Sequence, residues 1–150
     1  VKMKPLLTTI HISGGDNMMK ASKIKNTSMK ILGVSILTSM DAEQTSRYYN
    51  QRNMLELVKK FAKAAKKNGL DGVVCSPKEI KHIRKEVGKN FIILTPGIRM
   101  DNRIKNDDQK RVETPKKALD LGANYLVIGR PITESNNPLK ILKEINKTLS

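Results

Sequence analysis

Apolar residues in this chain gather into five short runs, at positions 6–12, 31–37, 72–75, 91–94 and 125–128. Each is rich in Ile, Val, Leu or Thr and too short for a helix, which predicts strands. Runs 91–94 and 125–128 alternate with nothing polar, so both of their faces are expected to be buried, as in a parallel sheet. Met54, Leu55, Val58, Phe61, Ala62 and Ala65 instead recur at helical spacing and predict an amphipathic helix over 51–67, ended by Asn68-Gly69. Its wet face carries Lys59, Lys60, Lys63, Lys66 and Lys67. Ser76-Pro77 and Thr114-Pro115 read as a cap followed by proline at the first helical position. The second of these helices is expected to run to about Leu121, where Gly122 stops it, and Asn137-Pro138 opens a last helix through Leu139, Leu142 and Ile145. Asp16 is expected to cap a short helix over 17–22, after a turn at Gly14-Gly15. Residues 23–29 read as a polar connection, and 41–50 as a loop with a short helical turn.

The alternation has an internal echo. Gly69-Leu70-Asp71-Gly72-Val73-Val74 resembles Gly122-Ala123-Asn124-Tyr125-Leu126-Val127: a helix-ending glycine, a short turn and an apolar strand. Repetition of strand then helix predicts a parallel α/β fold.

Composition narrows the class. A chain of 150 residues with 38% hydrophobic residues and a mean hydropathy of -0.45 is long enough for one domain with a core. Aromatics make up 3% and tryptophan is absent, so aliphatic side chains must fill that core. No apolar run approaches the ~20 residues of a membrane span, and no secretory signal opens the chain. The single Cys75 excludes an intramolecular disulfide and reads as a small buried apolar residue, so a cytoplasmic setting is expected. The net charge of +15 admits two readings, a nucleic-acid surface or a solvated lysine-rich one. Arginine is scarce and no aromatics are interleaved with the charge, so nucleic acid is not the expected partner. The first residue is valine, and the abrupt entry into an apolar run suggests a piece of a longer reading frame.

Chemistry is expected after the strands, where parallel sheets place it. Gly129-Arg130-Pro131 combines a backbone that a ligand can approach, a guanidinium fork and a proline ready to begin a helix, a combination that suits a phosphate. Thr38 and Ser39 follow the second run and read, taken alone, as caps rather than ligand contacts. His11 reads either as a hydrogen-bonded structural histidine or as a proton-transfer group. The segment 98–111 is long for a loop of a compact domain and carries Arg99, Asp101, Arg103, Asp107, Asp108, Gln109, Lys110 and Arg111.

Five motifs stand in order: His11-Ile12-Ser13-Gly14-Gly15, Leu37-Thr38-Ser39, Pro96-Gly97-Ile98-Arg99, Asp108-Gln109-Lys110-Arg111-Val112 and Ile128-Gly129-Arg130-Pro131-Ile132-Thr133. Together they resemble the C-terminal part of the orotidine 5'-phosphate decarboxylase family, over almost the whole chain. That family converts orotidine 5'-phosphate to uridine 5'-phosphate and carbon dioxide without metal or organic cofactor, so no cofactor is expected. The resemblance implies a single domain over 1–150, a fragment of a (β/α)8 TIM barrel comprising about strands four to eight, with the first three missing. It also implies that Arg99 and Arg130 bind phosphate, that Gln109 bridges phosphate and base, that Gly129 offers a backbone contact to phosphate, and that Thr38, with Ser39 less firmly, meets the nucleotide. Segment 98–111 would be the closing lid.

The family's Asp-x-Lys-x-x-Asp segment does not occur here, so no catalytic residue is assigned. Met100 and Glu113 stand where the family's pattern has proline and an uncharged residue, and Glu113 adds an acid near the phosphate loop. The expected ligands are orotidine 5'-phosphate or uridine 5'-phosphate, bound by a chain that is inactive alone. Expected partners are a second copy in a homodimer or a complementing N-terminal chain that would restore a split enzyme. A degenerate, non-enzymatic basic protein that binds RNA is the alternative.

Overall fold

The computed structural model describes residues 3–23, 28–100 and 112–149. Five parallel strands form one sheet in sequential order: β1 (Leu7–His11), β2 (Lys30–Val34), β3 (Gly72–Val74), β4 (Ile92–Thr95) and β5 (Tyr125–Leu126). The connections hold α1 (Gly15–Ala21), α2 (Ala42–Tyr49), α3 (Met54–Lys67), α4 (Ile80–Val87), α5 (Pro115–Asp120), α6 (Arg130–Thr133) and α7 (Pro138–Leu149). Short 3-10 turns, Ile12–Gly14 and Pro77–Glu79, lead into α1 and α4.

Strand register sorts side chains onto two faces, because aligned residues of parallel strands point the same way. Ile10, Gly33, Val73 and Ile93 form one row. Val73 and Ile93 are fully buried there, in a cluster with Val58, Ala62 and Ala65 of α3 and Ile80 and Ile83 of α4. Gly33 is required in this row, since a Cβ there would lie 2.6 Å from the Ile12 side chain and 3.0 Å from that of Leu70. The opposite face carries His11, Val34, Val74, Leu94 and Tyr125 in a second row. Leu32 packs over Gly72 on this face, where any side chain would press into the Ile92 carbonyl.

That second face corrects one expectation. The run 125–128 is not buried on both sides: Tyr125 is 40% exposed and Val127 46%. Leu126 and Ile128, on the alternate face, do pack against the core. The reason is position. Among the described strands β5 ends the sheet and pairs only with β4, which leaves Tyr125 and Val127 at its open edge. His11, at the other edge, is likewise exposed.

The helices follow local chemistry, with three departures. Residues 41–50 form a full helix, α2, because Asp41 and Gln44 make a reciprocal capping box, Asp41 Oδ1 accepting from the Gln44 amide at 3.0 Å. That cap is Asp41, not Thr38 or Ser39. The first turn of α1 takes in Asp16, whose side chain does not cap it; Gly14 stands at the cap position. Thr114 precedes α5 without a side-chain cap bond. The expected cap at Ser76 is present, and Glu79 completes it as a capping box, the Ser76 amide donating to Glu79 Oε2 at 2.9 Å in a buried setting. Gly69 and Gly122, at φ of 80° and 110°, end α3 and α5 in the left-handed conformation that favours glycine.

Candidate functional site

All described candidate residues lie beyond the C-terminal ends of strands. β2 leads to Thr38, β4 to Arg99, and β5 to Gly129 and Arg130. Because β4 and β5 pair, through Leu94 with Tyr125 and Thr95 with Leu126, the exits bearing Arg99 and Arg130 are neighbours. Thr38 leaves the same end of the sheet two strands away, with β3 between. Gln109 and the segment 101–111 lie outside the described residues.

The β2 exit is held by Ser35. Its amide and its hydroxyl both donate to the Val74 carbonyl, at 3.1 and 2.7 Å, so the chain leaves β2 fastened to the end of β3. A turn follows in which the Met40 amide reaches the Leu37 carbonyl at 3.0 Å, and Asp41 starts α2 at once. Thr38 is buried between these two anchors, while Leu37 is half exposed. The sequence signal for Ser35 is a lone polar residue inside the apolar run 31–37, next to Val34 where the strand ends.

The β4 exit carries a more elaborate fastening. Gly97 takes a φ of 75°, which a side chain would resist, and turns the chain so that Ile98 forms an isolated parallel bridge with Glu113. The Arg99 amide donates to the Glu113 carbonyl at 3.0 Å, and the Glu113 amide donates to the Gly97 carbonyl at 3.2 Å. Arg99 is 5% exposed, and its Nη1 donates to the Ile98 carbonyl at 3.0 Å. The bridge also answers the concern about Glu113. Bridged residues share a face, so the Glu113 side chain follows that of buried Ile98 and not that of Arg99. There Lys117 of α5 meets it at 2.9 Å.

The β5 exit is plainer. Val127 donates its amide to the Thr95 carbonyl at 2.9 Å, then the chain enters α6 at Arg130. The Gly129 carbonyl accepts from Ile132 and Thr133 at 2.8 and 3.1 Å. Gly129 is exposed, and a Cβ there would meet nothing within 4 Å, so its surroundings are open enough for a ligand to approach the backbone. Arg130 is half buried beside it. Pro131 fits the first turn of α6, where no amide is needed.

These exits combine two guanidinium groups, an accessible glycine backbone and a buried threonine hydroxyl at one end of a sheet. Such an arrangement can hold a phosphorylated polar ligand. Among the described residues no group of three or more His, Cys, Asp or Glu is placed to hold a metal ion, and no helix is long and apolar enough to cross a membrane. Cys75 is buried in the core where the chain leaves β3, its amide donating to the Leu94 carbonyl at 3.2 Å.

The model of the Orotidine 5'-phosphate decarboxylase / HUMPS family matches residues 3–145. The orotidine 5'-phosphate decarboxylase of Wolbachia pipientis subsp. Culex pipiens (strain wPip) is 49% identical over 146 residues, covering 96% of this chain and 64% of that protein. The enzyme of the same name from Neisseria meningitidis serogroup C (strain 053442) is 42% identical over 145 residues, 94% of this chain and 59% of that protein. Among solved structures, orotidine 5'-phosphate decarboxylase from Lactobacillus acidophilus superposes with a TM-score of 0.76 at 33% identity, over 96% of this chain and 63% of that one. The chain thus spans less than two thirds of the length of these relatives.

Proposed function

The chain belongs to the Orotidine 5'-phosphate decarboxylase / HUMPS family, and on that premise we propose that its 150 residues are one domain, the nucleotide-phosphate half of a (β/α)8 barrel comprising strands four to eight. The ligand is orotidine 5'-phosphate or its product, uridine 5'-phosphate. Arg99 and Arg130 bind the phosphate dianion, Gly129 donates its amide to it, Gln109 spans phosphate and base, and Thr38 meets the nucleotide. The observation that carries this reading is the pairing of β4 with β5, which makes the exits bearing Arg99 and Arg130 neighbours. Two guanidinium groups on adjacent exits suit a dianion better than either alone.

In decarboxylation the bond from the ring carbon to the carboxylate breaks, its electron pair stays on the ring carbon, and a proton replaces carbon dioxide there. No cofactor takes part in this reading. Charge preorganised at that carbon lowers the barrier, and binding energy from the remote phosphate holds the substrate against it. The residues on this chain supply the second contribution. The Asp-x-Lys-x-x-Asp segment that would supply the first is not in this sequence, so the chain binds nucleotide without turning it over. Isothermal titration with uridine 5'-monophosphate tests the assignment. Saturable binding is expected, weakened at least tenfold in Arg130→Ala, with no comparable affinity for generic RNA. A folded protein that does not bind, or that binds RNA as well and as salt-sensitively as the mononucleotide, overturns it.

A second reading adds activity through a partner. The face bearing His11, Val34, Val74, Leu94 and Tyr125 and the edges of β1 and β5 that no described strand pairs suit further strands, from a complementing chain or a second copy in a homodimer. Mixing the protein with a chain containing the Asp-x-Lys-x-x-Asp segment should then produce carbon dioxide from orotidine 5'-phosphate. Neither chain alone should do so, and an inactive mixture that forms a stable complex removes this reading.

A further inference from the structure

We infer that Glu113 and Lys117 are positioning residues for Arg99, a latch that fastens the β4 exit to α5. The inference rests on the assignment of Arg99 to the nucleotide phosphate. Glu113 is held at three points. Its carbonyl accepts the Arg99 amide at 3.0 Å, its amide donates to Gly97 at 3.2 Å, and its carboxylate pairs with Lys117 Nζ at 2.9 Å. The first two contacts define the backbone from which the Arg99 side chain springs. The third ties that backbone to a helix whose Pro115 and Ala118 are buried, Ala118 in the main core cluster. α5 is therefore a fixed post and Glu113 the link.

The carboxylate is well placed for this. Its side chain is only 16% exposed, so the pair is less screened than an ion pair open to solvent, although Lys117 is 60% exposed. Releasing Lys117 would leave a partly buried acid without that partner, and the acid would be drawn toward solvent, taking the Arg99 anchor with it. A guanidinium displaced by a fraction of an ångström loses hydrogen bonds to a phosphate while leaving the base contacts alone. Here the acid that departs from the family's pattern is accommodated by a basic residue one helical turn on, and it acts on phosphate affinity through the backbone rather than by direct repulsion.

Charge reversal tests the latch. Glu113→Lys and Lys117→Glu should each weaken binding of uridine 5'-monophosphate by about fivefold and leave uridine affinity unchanged. The double variant, with the pair inverted, should return to within about twofold of wild type. Single reversals without effect, equal losses for nucleotide and nucleoside, or a double variant no better than the singles would each overturn the inference. Amide hydrogen exchange at Arg99 reads the latch without a ligand: faster exchange in both single variants, and recovery in the double, is expected. If the wild-type protein binds no nucleotide, the phosphate assignment fails by itself. The exchange measurement still decides whether Glu113 and Lys117 hold Arg99, and unchanged protection would overturn that.

Discussion

Asp71 and Ile31 hold each other by two hydrogen bonds: the Asp71 amide donates to the Ile31 carbonyl at 2.9 Å, and Asp71 Oδ2 accepts the Ile31 amide at 3.0 Å. Asn124 does the same to Ile93 two βα units later, with both bonds at 2.8 Å. In each case the residue just before a strand uses its side chain to extend the ladder to the strand immediately before it in the chain. The two turns that look alike in sequence are thus alike in bonding. Asp71→Ala leaves a buried Ile31 amide without its acceptor and should cost about 1–3 kcal/mol in urea unfolding. Asp71→Asn keeps an acceptor oxygen and should cost less than half as much. The Lys30 ion pair with Asp71 at 3.3 Å is too exposed to account for the effect. Equal losses in the alanine and asparagine variants would refute the ladder explanation.

Arg84 joins the same region from α4. Its Nη1 donates to the carbonyls of Gly88, Lys89 and Phe91 at 2.8, 3.1 and 2.6 Å, and its Nη2 to the Gly122 carbonyl and Asn124 Oδ1 at 2.6 and 2.9 Å. Burial lowers its pKa from the ordinary guanidinium value, yet a guanidinium stays charged at any working pH. Arg84→Ala should lose about 2–4 kcal/mol, since several carbonyls lose a charged donor together. Arg84→Lys should recover little of it, because a point charge cannot span both groups. Thermal unfolding of the two variants decides, and full recovery by lysine would show that charge alone matters.

Thr95 is fully buried, and its hydroxyl has no hydrogen-bond partner among the described residues. It follows Ile93 on the face packed against the helices, not on the face of Leu94. Thr95→Val keeps the shape and removes an unsatisfied polar atom. It should raise stability by about 1 kcal/mol and leave nucleotide affinity unchanged. A loss of stability would mean that the hydroxyl is satisfied in solution.

Glu86 joins α3 to α4 by accepting from Lys63 at 2.8 Å and Lys59 at 3.1 Å. The hydrogen bond from Lys63, then that from Lys59, lowers its pKa below the usual 4.5. A carboxylate depressed in the folded state contributes stability that is complete above its unfolded pKa and is lost as pH falls through the folded value. The melting temperature of Glu86→Gln should therefore lie below that of the wild type at neutral pH and converge with it below pH ~4. A gap independent of pH would point to packing instead of charge.

The parts of the site that were legible in sequence are those that depend on nearest neighbours. The Ser76 cap and the proline after it were readable because both act on residues next to them in the chain. Asp41 and Gln44 carried the same signal and were passed over because the apolar pattern behind them is weak, yet the box makes α2 a full helix. Arg99 and Arg130 could be assigned to strand exits from the apolar runs alone, but the pairing that makes those exits neighbours is a property of the sheet. Glu113 looked in sequence like an intrusion on the phosphate loop. Only the bridge to Ile98 turns its side chain toward Lys117.

The amino-acid sequence by itself determined that there are five strands, that helices separate them, and where most of those helices start and stop. These are local matters of side-chain period, proline and glycine geometry, and hydrogen bonds between residues a few positions apart. Tertiary structure decided which face of each strand is covered. Tyr125 and Leu126 are neighbours in one apolar run, yet one is exposed and the other packed, because Leu126 faces the core cluster while Tyr125 lies at the open edge of the sheet. Burial is a relation between segments distant in sequence, and hydrophobicity states only what a residue would gain from a neighbour, not whether one is there.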